Sequence, residues 1–442
     1  MQSASADPYT PGHGTEDYSV SSYDLTIEYR LASNRLEGRA LISGVIGGPE
    51  SHSVPDLVLS LSGLRAGRVS LNGERVRKIR AANGRLKVTP AKALIGGSPF
   101  VLDIRYSGNP SPLNGVWGDV GWEELTDGAL VAGQPTGSPS WFPCNDHPRM
   151  KAAFTIRVTT DAGYRAVCNG TLTSHSVASS RETWVYESTA PMATYLATVQ
   201  IGRYQLAELA DAGAVPQYVA APGPLLPAAR KALAHQGKMI SAFSERFGAY
   251  PFPLYTVVVA DDELEIPLEA QTLSIIGKNH LSSEWAAQRL IAHELAHQWF
   301  GNSVTASSWQ DIWLHEGFAC YAEWIWSEES GSLSTERRAS DAWSGLASAP
   351  RDLEIGSPGP AAMFDDRVYK RGACALHALR KTIGDERFFG VLREWTGRFR
   401  HANASTADFL SLTDELCADL PGFDAAGLLR PWLYEARLPA LP

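Results

Sequence analysis

The sequence predicts an α+β protein of two domains, an antiparallel β domain followed by an α/β domain that ends in helices. In the first half, Tyr23, Leu25, Ile27 and Tyr29 alternate with polar residues, as expected for a strand with one buried face. After about Gly202 the apolar residues recur at helical spacing instead. At 442 residues the chain is long enough for two or three domains with a sizeable core.

The predicted N-terminal β domain covers residues 1–203. Clusters of glycine, asparagine and proline separate its short strands, as at residues 71–73 (LNG) and 96–99 (GGSP). Short strands at regular spacing with such turn signals are typical of antiparallel sheets. The alternating pattern predicts these strands near residues 18–30, 40–46, 57–61, 85–89, 100–106, 154–158, 183–186 and 195–204.

The predicted second domain covers residues 204–442. A helix is expected between Pro227 and Gly248, because proline favours the first turn of a helix and glycine its end. Two strand-like runs follow, at residues 255–260 and 272–276. Further helices are predicted at residues 284–301, 311–329, 368–383 and 407–416. The last of them follows a sequence, STAD, that resembles a capping box.

The composition excludes some classes of binding partner and predicts the cellular compartment. The net charge of −9 argues against nonspecific nucleic-acid binding and against an anionic membrane surface. No run of 18 or more apolar residues occurs and the first thirty residues lack a secretory signal pattern, so neither a membrane span nor secretion is expected. The odd number and wide spacing of the cysteines argue against a disulfide framework and predict a reducing cytoplasm. They are Cys144, Cys168, Cys320, Cys374 and Cys417.

A pair of histidines stands out on the helix predicted to end near Gly301. His293 and His297 are four residues apart, so they share one helical face and can hold a zinc ion between them. Glu294 lies beside His293, close enough to reach a water on that metal. A catalytic zinc needs a third protein ligand and an open fourth position. Glu316, on the next predicted helix, is the best candidate for that ligand.

The same residues allow a plainer interpretation. A motif as short as HExxH arises by chance, and a histidine pair on a half-apolar helix can simply be hydrogen-bonded in a core. The downstream Glu316 favours the metal site. Histidines that bind zinc usually donate their other ring nitrogen to a carboxylate or a carbonyl. Asp311 and Glu323 are near enough in sequence to be such partners, and both could equally be surface charges.

Several motifs together resemble the aminopeptidase N (alanyl aminopeptidase) family of gluzincin metallopeptidases. They occur in the order in which that family has them, which chance does not readily produce. The matching segments are residues 141–148 (WFPCNDHP), 151–154 (KAAF), 191–196 (PMATYL), 293–302 (HELAHQWFGN), 313–319 (WLHEGFA) and 369–372 (YKRG). The resemblance implies a saddle-like N-terminal β domain, a thermolysin-like catalytic domain and one zinc per chain.

The resemblance also implies a role for individual residues. Glu294 would be the general base, and Tyr369 would stabilise the oxyanion. Glu269 would pair with the α-ammonium group of the substrate, with Gln134 as a second contact. Glu269 lies in residues 266–273 (IPLEAQTL), where the family has Gly-x-Met-Glu-Asn. The glutamate is kept, but the glycine, methionine and asparagine are replaced, which puts the usual backbone contacts to the substrate in doubt.

We therefore expect a zinc-dependent aminopeptidase that acts on peptides with a free N-terminus, without a nucleic-acid or membrane partner. One alternative is a zinc endopeptidase or another zinc hydrolase on the same scaffold, because the segment around Glu269 is degenerate. Another is a non-catalytic peptide-binding relative. Many family members continue into a helical domain, whereas this sequence ends at Pro442. A short form without that helical domain is therefore expected.

Overall fold

The computed structural model describes residues 7–209 and 214–442. Residues 1–6, which begin the predicted N-terminal domain, and residues 210–213 lie outside the described residues. The chain forms two compact units. The first consists of Met1–Ala207, Tyr218–Leu226 and Pro253–Lys278, and the second of Glu208–Gln217, Pro227–Phe252 and Asn279–Pro442. The predicted boundary between residues 203 and 204 stays a prediction, because a compact unit need not coincide with a sequence domain.

The first unit is built from β-strands. In chain order they are β1 (Tyr18–Arg30), β2 (Arg35–Ile46), β3 (Ser53–Val54), β4 (Leu57–Ser60), β5 (Arg65–Leu71), β6 (Glu74–Arg75), β7 (Lys78–Ala82), β8 (Arg85–Thr89), β9 (Leu94–Ile95), β10 (Pro99–Gly108), β11 (Leu113–Gly115), β12 (Gly118–Leu125), β13 (Gly128–Ala132), β14 (Ala152–Asp161), β15 (Arg165–Cys168), β16 (Thr171–Ala178), β17 (Arg181–Met192), β18 (Val199–Gly202), β19 (Tyr204–Glu208), β20 (Gln217–Pro222), β21 (Tyr255–Ala260), β22 (Leu268–Ala270) and β23 (Leu273–Gly277).

The largest sheet has eight strands in the order β16-β17-β14-β1-β2-β10-β5-β6. The alternation predicted for β1 is observed, since Tyr23, Leu25, Ile27 and Tyr29 are all buried. One pairing differs from the predicted antiparallel arrangement, because β1 and β14 run parallel. More than a hundred residues separate these two strands, and a connection of that length permits a parallel pair, which a short hairpin cannot form.

Two five-stranded sheets have the orders β11-β12-β13-β18-β15 and β19-β20-β21-β23-β22, and two small sheets have the orders β4-β8-β7 and β3-β9. The second five-stranded sheet carries Glu269 on its edge strand β22, opposite Ser274 of β23. An apolar cluster that includes Val258, Ala270 and Ile275 fixes these strands. The single strand predicted at residues 195–204 is not observed as one strand. Thr194–Leu196 form a 3-10 turn, and β18 begins only after it.

The second unit is mainly helical. Its helices are α1 (Leu226–Ala232), α2 (Gln236–Phe247), α3 (Trp285–Ala296), α4 (Trp313–Glu329), α5 (Thr335–Ser348), α6 (Asp366–Ile383), α7 (Asp385–Arg398), α8 (Thr406–Leu416) and α9 (Ala425–Tyr434), with short strands β24 (Thr305–Ala306) and β25 (Asn403–Ala404). Helix α4 is almost wholly buried and packs against α3 and α6. The predicted capping box at the start of α8 is present between Ser405 and Asp408.

The single helix predicted between Pro227 and Gly248 is two helices, with a break between α1 and α2. In a continuous helix the carbonyl of Ala232 would accept from the amide of Gln236. Here Gln288 Nε2 donates to that carbonyl over 2.8 Å, and the amide of Gln236 donates to Leu233 O. A distant side chain therefore replaces one helical hydrogen bond at the break.

Within residues 7–209 and 214–442, we find no helix long and apolar enough to cross a membrane.

Candidate metal site

Two packed helices bring the predicted metal ligands together. Helix α3 ends at Ala296, earlier than the predicted end at Gly301, but His297 keeps helical dihedral angles (φ −57°, ψ −23°). The i,i+4 relation of the two histidines therefore survives. The Oε2 atom of Glu316, on α4, lies 3.4 Å from His293 Nε2 and 3.5 Å from His297 Nε2. All three side chains are buried.

This donor set fits a zinc ion. Two ligand atoms bound at roughly 2.0–2.1 Å to a tetrahedral zinc are about 3.3–3.4 Å apart. The separations between Glu316 and each histidine match this spacing, and the three donor atoms all lie within 4.8 Å of one another. Two imidazoles and one carboxylate leave the fourth tetrahedral position for water or a substrate, as catalytic zinc sites require.

The other nitrogen of each imidazole has an acceptor. His293 Nδ1 lies 2.8 Å from Oε1 of Glu323, on α4, and His297 Nδ1 lies 3.0 Å from the carbonyl oxygen of Phe300. A carbonyl oxygen only accepts, so His297 must carry its proton on Nδ1. An ionised Glu323 requires the same of His293. When neutral, both histidines are therefore held in the tautomer that presents a free Nε2 lone pair to a metal.

Burial and charge compete at these residues. Burial alone would lower the pKa of His293, but without a metal its hydrogen bonds to Glu316 and Glu323 raise that pKa to about 9. A zinc ion must therefore displace a proton from this imidazole when it binds. Burial would raise the pKa of Glu316, and the two histidines instead hold it well below its usual range. Glu323 behaves similarly, because His293 and Lys370 outweigh its burial and lower its pKa. Both carboxylates are thus kept ionised, which favours binding of a divalent cation.

Tyr369 reaches the same site from α6. Its ring lies 5.9 Å from that of His293 and is nearly parallel to it, at 21°. A close approach of α6 to α4 makes this possible, because a Cβ atom on Gly372 would lie 2.9 Å from the Cα of Gly317. Only glycine allows two helix backbones to approach so closely. The two glycines therefore set the distance between the helix of Tyr369 and the helix of Glu316.

Replacing Gly372 by alanine is expected to lower stability and activity together. In an open helix this change stabilises by up to about 1 kcal/mol, but here the new methyl group meets backbone at 2.9 Å. Overpacking of that kind costs about 1–3 kcal/mol and displaces Tyr369. Gly345→Ala in α5 is a matched control, because a Cβ there meets nothing within 4 Å. Unfolding midpoints that respond alike in the two variants would contradict the close contact.

The remaining predicted residues have separate positions. Glu294 is buried on α3, next to His293. Glu269 and Gln134 belong to the first unit. Glu269 is partly exposed on β22, and Gln134 follows β13. The side-chain nitrogen of Gln134 is buried and has no hydrogen-bond partner among the described residues, so it can donate to a ligand. The roles of Glu294, Glu269 and Gln134 stay predictions.

The structure reveals two interactions around the site that the sequence did not predict. One is the choice of acid that contacts His293, and the other is a contact of Arg289. Of the two acids weighed as partners of the histidines, Glu323 contacts His293, whereas Asp311 accepts a hydrogen bond from Thr406 Oγ1 on α8. The sequence pattern assigned no role to Arg289, whose Nη1 atom lies 3.3 Å from Glu323 Oε2. Its position four residues before His293 was the only signal available, since such residues share a helical face.

Comparisons with known proteins agree with this site. The family model "Peptidase M1 N-terminal domain" matches residues 19–196, and the model "Peptidase family M1 domain" matches residues 231–425. A curated relative, leucyl aminopeptidase of Saccharolobus solfataricus, is 24% identical over 95% of this chain and 54% of its own length. The chain spans about half the length of the curated relatives it matches.

Solved structures match over nearly their full length. The M1 zinc metallopeptidase of Deinococcus radiodurans is 29% identical, with a TM-score of 0.89 and 99% of both chains covered. A mutant of that enzyme bound to a Tyr-Ser-Ala substrate gives a TM-score of 0.90 at 28% identity. These matches confirm the predicted fold class, the predicted zinc cofactor and the family resemblance. Because the two family models follow one another along most of the sequence, the chain belongs to peptidase family M1.

Proposed function

We propose that this chain is a zinc aminopeptidase, and that His293, His297 and Glu316 hold the zinc ion. One observation carries the proposal, namely that Glu316 Oε2 lies 3.4 and 3.5 Å from the Nε2 atoms of the two histidines. That spacing suits a tetrahedral ion with one open position. The curated relative named leucyl aminopeptidase supports the reaction type.

The bound zinc would supply Lewis acidity, activating a water molecule and polarising the carbonyl of the scissile bond. Glu294 then acts as the general base that takes the proton from the attacking water, and it returns that proton to the leaving amine. Its buried position beside His293 favours proton transfer, because little bulk water competes for the carboxylate.

Tyr369 stabilises the negative charge that develops on the carbonyl oxygen during attack. A phenolic hydroxyl can donate one hydrogen bond to that oxygen. The stacked arrangement of Tyr369 on His293 supports this role, because it holds the ring beside the proposed zinc ligands. The Gly317–Gly372 contact fixes the helix from which the tyrosine projects.

Glu269 and Gln134 recognise the free N-terminus of the substrate. An α-ammonium group donates strong, charge-assisted hydrogen bonds to a carboxylate, and it can also donate to the side-chain oxygen of Gln134. The buried, unpartnered side-chain nitrogen of Gln134 can in addition donate to a substrate carbonyl. The Tyr-Ser-Ala peptide bound to the Deinococcus radiodurans enzyme supports peptides as the substrate class. An endopeptidase stays the alternative, because Ile266, Leu268 and Ala270 replace the family residues around Glu269.

The test compares one tetrapeptide with its N-acetylated form. The parent enzyme is expected to cleave the free peptide and to leave the acetylated one intact. Glu269→Ala should lower kcat/KM for the free peptide about 10- to 100-fold, the value of a charge-assisted hydrogen bond of about 1.5–3 kcal/mol. Glu265→Ala is the control, because Glu265 is an exposed acid just before β22. Equal cleavage of both peptides would assign the enzyme to the endopeptidases.

We further propose that the protein works in a reducing compartment, the cytoplasm. All five cysteines, Cys144, Cys168, Cys320, Cys374 and Cys417, are buried free thiols. Proteins of oxidising compartments more often pair their cysteines in disulfides.

A further inference from the structure

We infer that Arg289 is a positioning residue for zinc binding, which acts on the metal through Glu323 and His293. This role rests on the proposed zinc site, but it requires no peptidase activity. Arg289 and His293 are four residues apart on α3 and therefore share a face of the helix. Glu323 faces them from α4 and is hydrogen-bonded to His293 through Oε1 and to Arg289 through Oε2.

The two oxygens of Glu323 have different partners, and this division fixes the carboxylate plane. Oε1 lies 2.8 Å from His293 Nδ1, and Oε2 lies 3.3 Å from Arg289 Nη1. With a side-chain exposure of only 4%, Glu323 has little access to water that could replace either partner. Removing the guanidinium would leave Oε2 without this donor, and the carboxylate could then rotate about its terminal bonds. The orientation of the His293 ring, and with it the direction of Nε2, would then be less well fixed.

The other histidine is oriented by a backbone carbonyl. His297 Nδ1 pairs with the carbonyl oxygen of Phe300, 3.0 Å away, which belongs to the backbone. The next residue, Gly301, has φ +117°, and a Cβ there would lie 3.4 Å from His297 Nδ1. His297 is thus oriented by the protein backbone, whereas His293 is oriented by the side chain of Glu323, which in turn is held by Arg289. Zinc affinity should therefore respond to side-chain changes on the His293 side.

A second cationic side chain, that of Lys370, lies near Glu323 but donates its hydrogen bond to another residue. The charge of Lys370, on α6, favours the ionised form of Glu323. Its ammonium group donates to Cys320 Sγ over 3.4 Å, and Cys320 lies one turn before Glu323 on α4. Lys370 therefore contributes positive charge, whereas Arg289 makes a directional hydrogen bond to Glu323 Oε2, the oxygen that does not contact His293. Loss of Arg289 should therefore leave the Glu323 carboxylate less well oriented.

Two effects of Arg289 on zinc binding have opposite signs. Its positive charge repels a divalent cation through space, and its hydrogen bond orients the ligand that binds that cation. The side chain of Arg289 is 37% exposed, so water and salt screen the repulsion. The hydrogen bond acts on a buried carboxylate, where screening is weak. We therefore expect the orienting effect to dominate.

The experiment measures the zinc affinity of metal-depleted protein by competition with a chromophoric chelator. Arg289→Met should bind zinc about tenfold more weakly, in the range found for partners of metal ligands. Arg289→Lys keeps a positive donor and should fall between the parent and Arg289→Met. Arg246→Met is the matched control, because Arg246 also links a neighbouring helix to α4, through Glu329 at 2.7 Å, and no hydrogen bond joins it to a histidine among the described residues. Its zinc affinity should stay within about twofold of the parent.

The unfolding midpoint of each variant, with and without zinc, separates positioning from a structural role. A positioning role reduces the increase in midpoint that zinc produces, because that increase follows the affinity. A merely structural ion pair lowers both midpoints equally and leaves the affinity unchanged. Equal or tighter zinc binding by Arg289→Met would overturn the role of Arg289. A parent protein that binds no zinc would instead overturn the proposed site, which keeps the two failures distinct.

Discussion

Replacement of Glu294 by glutamine is expected to leave zinc bound and to lower kcat by about 10²- to 10⁴-fold. The amide has nearly the shape of the carboxylate but cannot accept the proton of the attacking water. Glu294 is buried beside His293, so bulk water is a poor substitute for it. Because the base acts in the chemical step, kcat should fall much more than KM changes. Steady-state kinetics on an unblocked peptide, with zinc measured by elemental analysis, checks both parts.

Glu284→Gln provides the control for that variant. Glu284 is an exposed acid at the N-terminal end of the same helix α3, so its loss changes the charge of the helix without touching the proposed site. Its kcat should stay close to that of the parent. A Glu294→Gln enzyme with full kcat would remove Glu294 from the mechanism. A variant that has also lost its zinc would show that Glu294 acts through the metal site instead.

The second large effect is expected from the double variant His293→Ala, His297→Ala. Two of three ligands are then gone, and one buried carboxylate cannot hold zinc by itself. We expect about one zinc per chain in the parent and none in the double variant, with no detectable peptide cleavage. A chelator should lower the unfolding midpoint of the parent, because zinc that binds only the folded state stabilises it. The same chelator should leave the midpoint of the double variant unchanged.

His235→Ala is the matched control for metal content. His235 is an exposed histidine at the start of α2, and its removal should leave zinc and activity as they are in the parent. Stoichiometric zinc in the double variant would place the metal elsewhere in the chain. The elemental analysis therefore tests the ligand set independently of any assumption about the reaction.

The fold could be predicted where the signal is local. Alternation predicted β1 correctly, and the sequence STAD predicted the capping box between Ser405 and Asp408. Pairings between distant segments were wrong or invisible. The parallel pair of β1 and β14 was not expected, and neither was the break between α1 and α2. That break depends on Gln288, a residue more than fifty positions away in sequence, so no local pattern could predict it.

The candidate site shows the same contrast between local signals, which the sequence contains, and contacts between distant segments, which it does not. The sequence by itself determined that His293 and His297 share a face, because four residues span about one helical turn whatever surrounds the helix. It also offered Glu316 as the candidate third ligand, and Glu316 Oε2 lies 3.4 and 3.5 Å from the two histidine Nε2 atoms. Only the tertiary structure decided between Glu323 and Asp311, through the packing of α3 on α4 and the hydrogen bond from Thr406.

The approach of Tyr369 to His293 was likewise a tertiary matter, since it requires the contact of Gly317 with Gly372, on two helices separated in sequence. The physical reason for this division is range. Helical periodicity and caps arise from neighbours within about one turn, so the sequence contains them directly. Contacts between helices depend on how whole faces pack and which buried polar groups find partners. For this protein the spacing of the predicted zinc ligands could therefore be read from the sequence, whereas the residues that contact those ligands became visible only in the folded molecule.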